Sequence, residues 1–91
     1  MKDKLHLGGK TIVTELPVPY FIAGRSIGEL GLRKKYGVSV FLVKEITQCN
    51  DQKVITPGSS YVFREGDVML VSGNEEDIER LAHMTMLPET L

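Results

Sequence analysis

The sequence predicts an α+β domain, a small β-α-β-β-β-β-α chain whose mixed or antiparallel sheet carries two helices. Three stretches carry that prediction. "VSVFLVKEI" is almost continuously apolar and β-branched, "VMLVSG" is a second apolar strand, and "SIGE" holds the Ser-x-x-Glu spacing of a helix capping box.

The elements follow in chain order. "GKTIVTELPVP" sets Ile12 and Leu16 among polar neighbours and ends at two prolines, which suits a strand with one wet face or an edge position. A helix is expected to open at Ser26, three residues before Glu29, with Ile27, Leu30 and Leu32 as its apolar face. Arg33, Lys34 and Lys35 place positive charge at the negative end of the helix dipole, and Gly37 supplies a left-handed stop. "VSVFLVKEI" then reads as a central strand covered on both faces. "TQCNDQK" has the composition of a hairpin loop, "VITP" is a short return strand ended by Pro57, and "YVF" is one more strand after the turn "GSS". "REGD" turns the chain into "VMLVSG", and Asn74 caps a last helix in which Ile78, Leu81, Ala82 and Met84 recur at helical spacing. Residues 1–9 and 85–91 read as flexible tails around a domain at 10–84. Ends so compact fit one module within a longer chain.

Composition excludes several classes of function. A chain of 91 residues has room for one small domain, which buries a modest share of its surface and gains from association. Two β-branched strands with two short helices to shield them leave apolar faces, which predicts a homodimer. A net charge of -1 gives no electrostatic reason for nucleic acid, and the cluster Arg33-Lys34-Lys35 is accounted for by the helix dipole. No apolar run approaches the roughly 20 residues that cross a bilayer, and "MKDKLHLGGK" lacks the apolar centre of a signal peptide. The expectation is a cytoplasmic protein without direct membrane insertion. Cys49 is the lone cysteine, so no internal disulfide or thiolate metal cluster can form.

"VMLVSGNEEDIERL" has the outline of a phosphate-binding strand, turn and helix. Glu75, Glu76, Asp77 and Glu79 already fill the helix mouth, and the turn lacks a Gly-x-Gly-x-x-Gly or Gly-Lys-Ser/Thr pattern. It is a capped structural helix. The glycines of "AGRSIGELG" match no phosphate fingerprint either; Gly28 suits close packing on the sheet, while Arg25 and Ser26 stand where an anion could be touched. Catalysis would need a nucleophile beside a base or two sheltered carboxylates. His6, His83 and Cys49 are scattered along the chain, and neither a catalytic pair nor a metal-ligand spacing results.

Gly24-Arg25-Ser26-Ile27-Gly28-Glu29-Leu30, Tyr36-Gly37-Val38-Ser39-Val40, Ile55-Thr56-Pro57 and Glu65-Gly66-Asp67-Val68-Met69-Leu70-Val71-Ser72-Gly73 stand in an order and spacing that resembles the RCK C-terminal domain, also called the TrkA-C domain. The resemblance covers about residues 11–81. It implies a cytosolic regulatory and dimerisation domain of a potassium or cation channel, transporter or antiporter, not an enzyme, often joined to a Rossmann-like regulatory domain. It also implies a small ligand at the dimer interface in some members, cyclic di-AMP or another nucleotide, and no other cofactor. By position the ligand-binding residues would be Val43, Lys44, Val54, Ile55 and Pro57, with apolar walls against a base and Lys44 on a phosphate. Where many ligand-binding members carry a basic residue after the central strand, this chain has Glu45, which opposes a dianion unless it points away; the polar position of the return strand falls on Lys53. The alternative is the same fold as a dimerisation scaffold without a ligand. A small enzyme subunit that borrows its chemistry from a partner is a third reading, opposed by the lack of a nucleophile and base.

Overall fold

The computed structural model describes residues 4–86. Five strands form one sheet: β1 (Lys4–Gly8), β2 (Thr11–Pro17), β3 (Val38–Ile46), β4 (Gln52–Ile55) and β5 (Val68–Asn74). Their spatial order is β1-β2-β5-β3-β4, and every pairing is antiparallel. A 3-10 turn (Tyr20–Ile22) and helices α1 (Ile27–Leu30) and α2 (Leu32–Tyr36) connect β2 to β3, and α3 (Glu75–Met86) follows β5.

Register explains which side chains make the core. Ile12 stands opposite Gly73, Thr14 opposite Val71 and Leu16 opposite Met69, and all but Gly73 are buried. Val38, Val40 and Val43 of β3 join the same face, with a register shift between Val40 and Leu42 that makes Phe41 an extra, 40% exposed residue. Ile22, Leu30, Leu32, Phe63, Ile78 and Leu81 close over this face. The long apolar run of β3 therefore records a bulge rather than burial on two sides. β5, not β3, is the middle strand, and β3 has a helical layer on one face only among the described residues.

Several local outcomes differ from the sequence reading. Residues 4–8, expected in a tail, pair with β2 as an edge strand, and Lys4 Nζ donates to Glu75 Oε2 at 2.6 Å and Glu79 Oε2 at 3.3 Å. "YVF" is no strand of the sheet: Val62 makes one isolated bridge with Ser26. Its backbone instead anchors the start of α1, Ile27 N–H donating to Tyr61 O and Phe63 N–H to Arg25 O. The helix expected from Ser26 to Gly37 divides where Gly31, in the left-handed conformation, ends α1. The capping box forms as expected, Glu29 N–H donating to Ser26 Oγ and Ser26 N–H to Glu29 Oε1. Gly28 packs on the loop carbonyl of Ser59, not on the sheet. Residues 1–3 and 87–91 of the expected tails lie outside the described residues, while α3 continues through Met86.

Gly37 ends α2 at φ +72, and a Cβ there would meet Asp77 Oδ2 of α3 at 2.6 Å. That contact sets α2 and α3 side by side. Asp67 fixes the opposite end of the sheet: its side chain, 2% exposed, accepts from Ile46 N–H at 3.0 Å and from Arg64 Nε at 3.0 Å. Val18 N–H donates to Asp67 O at 2.9 Å, so one residue joins the ends of β2, β3 and β5. Asp67→Ala is expected to lower unfolding free energy in urea by about 2–3 kcal/mol, because it strands Ile46 N–H and removes a charge-assisted bond. Arg64→Ala, at a mostly exposed partner, is expected to cost far less.

Candidate functional site

The hairpin of β3 and β4 carries the residues to which the family resemblance assigns ligand contact. Its loop is closed by Thr47 N–H donating to Asp51 O at 2.9 Å and Asp51 N–H to Thr47 Oγ1 at 3.1 Å, with Asn50 left-handed at φ 64. The pairings Val43↔Ile55 and Lys44↔Val54 then place alternate residues on opposite faces. Val43 is fully buried and Ile55 packs against the core. Lys44 and Val54, the latter 57% exposed, lie on the face without helices, and Pro57 is half-buried just past β4. The five residues thus divide: Lys44 and Val54 share an open surface, while the Val43 side chain belongs to the core.

Charge on the hairpin is divided in the same way. Glu45 turns to the helix-covered side, where Tyr61 Oη donates to its Oε2 at 2.8 Å. Burial, and next the bond to Glu45, push the Tyr61 phenol up to about 12. Glu45 is therefore not beside Lys44 on the open face. Glu15 of β2 is: Lys44 Nζ donates to Glu15 Oε2 at 2.5 Å, across β5, with the two side chains 25% and 31% exposed. Sequence reasoning missed Glu15. The signal was the alternation Ile12, Thr14, Leu16 against Val13, Glu15, which puts Glu15 on the face opposite the core.

Around this ion pair the open face is apolar. The rows Leu5–Val13–Ser72–Ser39, Glu15–Leu70–Leu42 and Pro17–Val68–Lys44–Val54 run across the sheet by register. Leu5 is 61% exposed, and Val13, Leu42, Val68 and Leu70 are partly covered by their neighbours alone. Elsewhere, the acidic mouth of α3 is satisfied from within: Asn74 Oδ1 accepts from Glu76 N–H, and Lys4 holds the Glu75 carboxyl below its ordinary range. Among the described residues no cluster of His, Cys, Asp and Glu could hold a metal ion, and no helix is long and apolar enough to cross a membrane. Cys49 is an exposed thiol in the hairpin loop.

Comparison with known proteins gives a consistent result. The TrkA-C domain family matches residues 13–85. The K(+)/H(+) antiporter subunit KhtT of Bacillus subtilis (strain 168) is 33% identical over 60 residues, 66% of this chain and 34% of that protein. The Ktr system potassium uptake protein C of the same organism is 26% identical over 78 residues, 86% of this chain and 34% of that protein. The chain spans about a third of the length of these curated relatives. The RCK C domain of the potassium transport protein KtrA, solved in complex with cyclic diadenosine monophosphate, has a TM-score of 0.67 at 25% identity, over 78% of this chain and 79% of that one. The α+β antiparallel fold is that of an RCK C domain.

The Tyr61–Glu45 contact has a measurable signature. An unfolded tyrosine ionises near pH 10 and the folded Tyr61 near 12, so between these values the unfolded state has lost a proton that the folded state keeps. Stability is fully present below about pH 10 and falls as pH rises toward 12. Tyr61→Phe is expected to remove that component of alkaline destabilisation, and in wild type one of the three tyrosines should gain tyrosinate absorbance late.

Proposed function

The chain belongs to the TrkA-C domain family, and from that premise we propose that it is the cytoplasmic regulatory and dimerisation domain of a potassium transport system, with the open sheet face as its dimer interface. The observation that carries this reading is the apolar surface of Leu5, Val13, Leu42, Val68, Leu70 and Val54, which no helix of the described chain covers. Water-facing apolar area of this kind favours association at roughly 25 cal/mol per Å² buried, before the entropic cost of pairing is subtracted. A second copy would also enclose the Lys44–Glu15 pair. Its natural setting is beside a membrane transport protein or a Rossmann-like regulatory domain, as the potassium antiporter and uptake relatives suggest. Its role is regulation by shape rather than catalysis.

The ligand of this domain is cyclic di-AMP or a related nucleotide, held between two copies at the β3–β4 hairpin, as the ligand of the KtrA domain suggests. Val54 and Pro57 supply apolar contact, Val43 and Ile55, whose side chains face the core, hold the paired strands in place, and Lys44 meets a phosphate. The orientation of Glu45, away from Lys44, favours this reading. A ligand bound there changes the balance of subunit arrangements only by its differential affinity for them. One observation favours a second reading, a dimerisation scaffold without ligand: Lys44 already has Glu15 as its counter-ion.

Sedimentation equilibrium and calorimetry test both parts. The wild-type chain is expected to sediment as a dimer at micromolar concentration, and Leu70→Asp to weaken the dimer by about a hundredfold, because it sets an unpaired charge inside the interface. Cyclic di-AMP is expected to bind one molecule per dimer, and Lys44→Ala to weaken it by about tenfold. A dimer that binds no cyclic di-AMP at millimolar concentration leaves the scaffold reading in possession; a monomer removes both.

A further inference from the structure

A second surface, on different elements from the hairpin, has features that the dimer and its ligand leave unused. Where the 3-10 turn meets α1 and α2, a groove of about 480 Å³ opens to solvent. Tyr20, Phe21 and Tyr36 line it, Tyr20 being 39% exposed and set edge-on to Phe21 with ring centroids 6.4 Å apart. Arg25 and Lys35 line it too. Both are exposed, and neither forms an ion pair or a side-chain hydrogen bond among the described residues. The one carboxylate of the lining, Glu29, already accepts from Ser26 N–H in the capping box. The formal charge of the groove is therefore positive.

The groove is also held in shape before anything enters it. Arg25 N–H donates to Ile22 O at 3.1 Å, Phe63 N–H to Arg25 O at 3.0 Å and Gly24 N–H to Phe63 O at 2.9 Å, so the backbone that carries Arg25 is tied to the 61–63 segment. Phe21 and Tyr36 pack against the core. Rigid aromatic walls offer faces and edges on which a flat ring can lie, and two cations without partners among the described residues offer charge-assisted bonds to an anion. A volume in the range of small-molecule sites, roughly 300–1,000 Å³, suits one ring with an anionic group rather than a polymer. The geometry points to a binding site here for a small organic anion carrying an aromatic ring, of mononucleotide size, with the ring against Tyr20 and Tyr36 and the phosphate or carboxylate on Arg25 and Lys35.

The test follows the amide spectrum of the 15N-labelled chain during titration with AMP, with adenosine alone and inorganic phosphate alone as separate arms. AMP is expected to saturate with shifts centred on Ala23, Arg25 and Tyr36, and each half-molecule to bind at least about tenfold more weakly, since ring and anion contacts act together. The double variant Arg25→Ala with Lys35→Ala should weaken AMP by about tenfold or more, and Tyr20→Ala by about fivefold. The double variant Lys10→Ala with Arg80→Ala, which removes an equal charge at exposed positions elsewhere, should leave AMP affinity unchanged. Shifts centred on the β3–β4 hairpin, phosphate binding as tightly as AMP, an unaffected double variant, or no saturation at millimolar AMP would each overturn the site. The substituted side chains are on the surface, and the dispersion of the same spectra reports that the variants fold. Because the cyclic di-AMP reading depends on Lys44 and this one on Arg25 and Lys35, either can fail alone.

Discussion

All helices of the described chain pack on one side of the sheet, and that one-sidedness governs the rest of the structure. The core is a single layer of contacts between Ile12, Leu16, Val38, Val43, Met69 and Val71 from the strands and Ile22, Leu30, Leu32, Phe63, Ile78 and Leu81 above them. Among the described residues no second helical layer covers the other face. The opposite face consequently keeps Leu5, Val13, Leu42, Val68 and Leu70 where only their strand neighbours cover them. A second copy is the least elaborate cover for such a face, since it supplies an identical surface and needs no further gene product.

The hairpin that carries Lys44 is positioned from outside itself. Asp67 reaches Ile46 N–H just before the loop, so the turn that launches β5 also fixes the far end of β3. Strand alternation then separates Lys44 from Glu45 by the thickness of the sheet: one faces the apolar surface and Glu15, the other faces Tyr61. A sequence count of neighbouring charges would cancel these two residues. In the fold they act on different surfaces, and the group that balances Lys44 comes from a strand 29 positions earlier.

Much of the fold was legible in the sequence because local chemistry and tertiary packing agree at those positions. The Ser26–Glu29 capping box, the left-handed Gly37, the turn into β5 and the Asn74 start of α3 each depend on a few neighbouring residues, and each forms. The misreadings arise where distant partners decide. "KLHLG" alternates as a strand should and is followed by Gly9, which takes φ +56 in the turn to β2; its charged flanks hid a hairpin. "YVF" has strand composition, yet its backbone is consumed by residues 24–27. These two errors cancel in the strand count, so the right number came from partly wrong strands. Phe41 looked like part of a strand buried on both faces because a bulge places one extra residue in the run, and no pattern in "VSVFLV" announces where the register shifts. For the site, Lys44 and Val54 were found on a common surface, whereas Val43 faces the core and Glu15 became visible only once β2, β5 and β3 were set side by side.

The most direct test of the one-sided sheet as an interface is an isotope-filtered NOE experiment on a mixture of labelled and unlabelled copies. Cross-peaks from the Leu42 and Leu70 methyl groups of one copy to protons of another are the predicted result, with none from Ile78 or Leu81 under the helices. Intermolecular cross-peaks confined to the helical side, or none at concentrations where the chain is associated, would contradict the account.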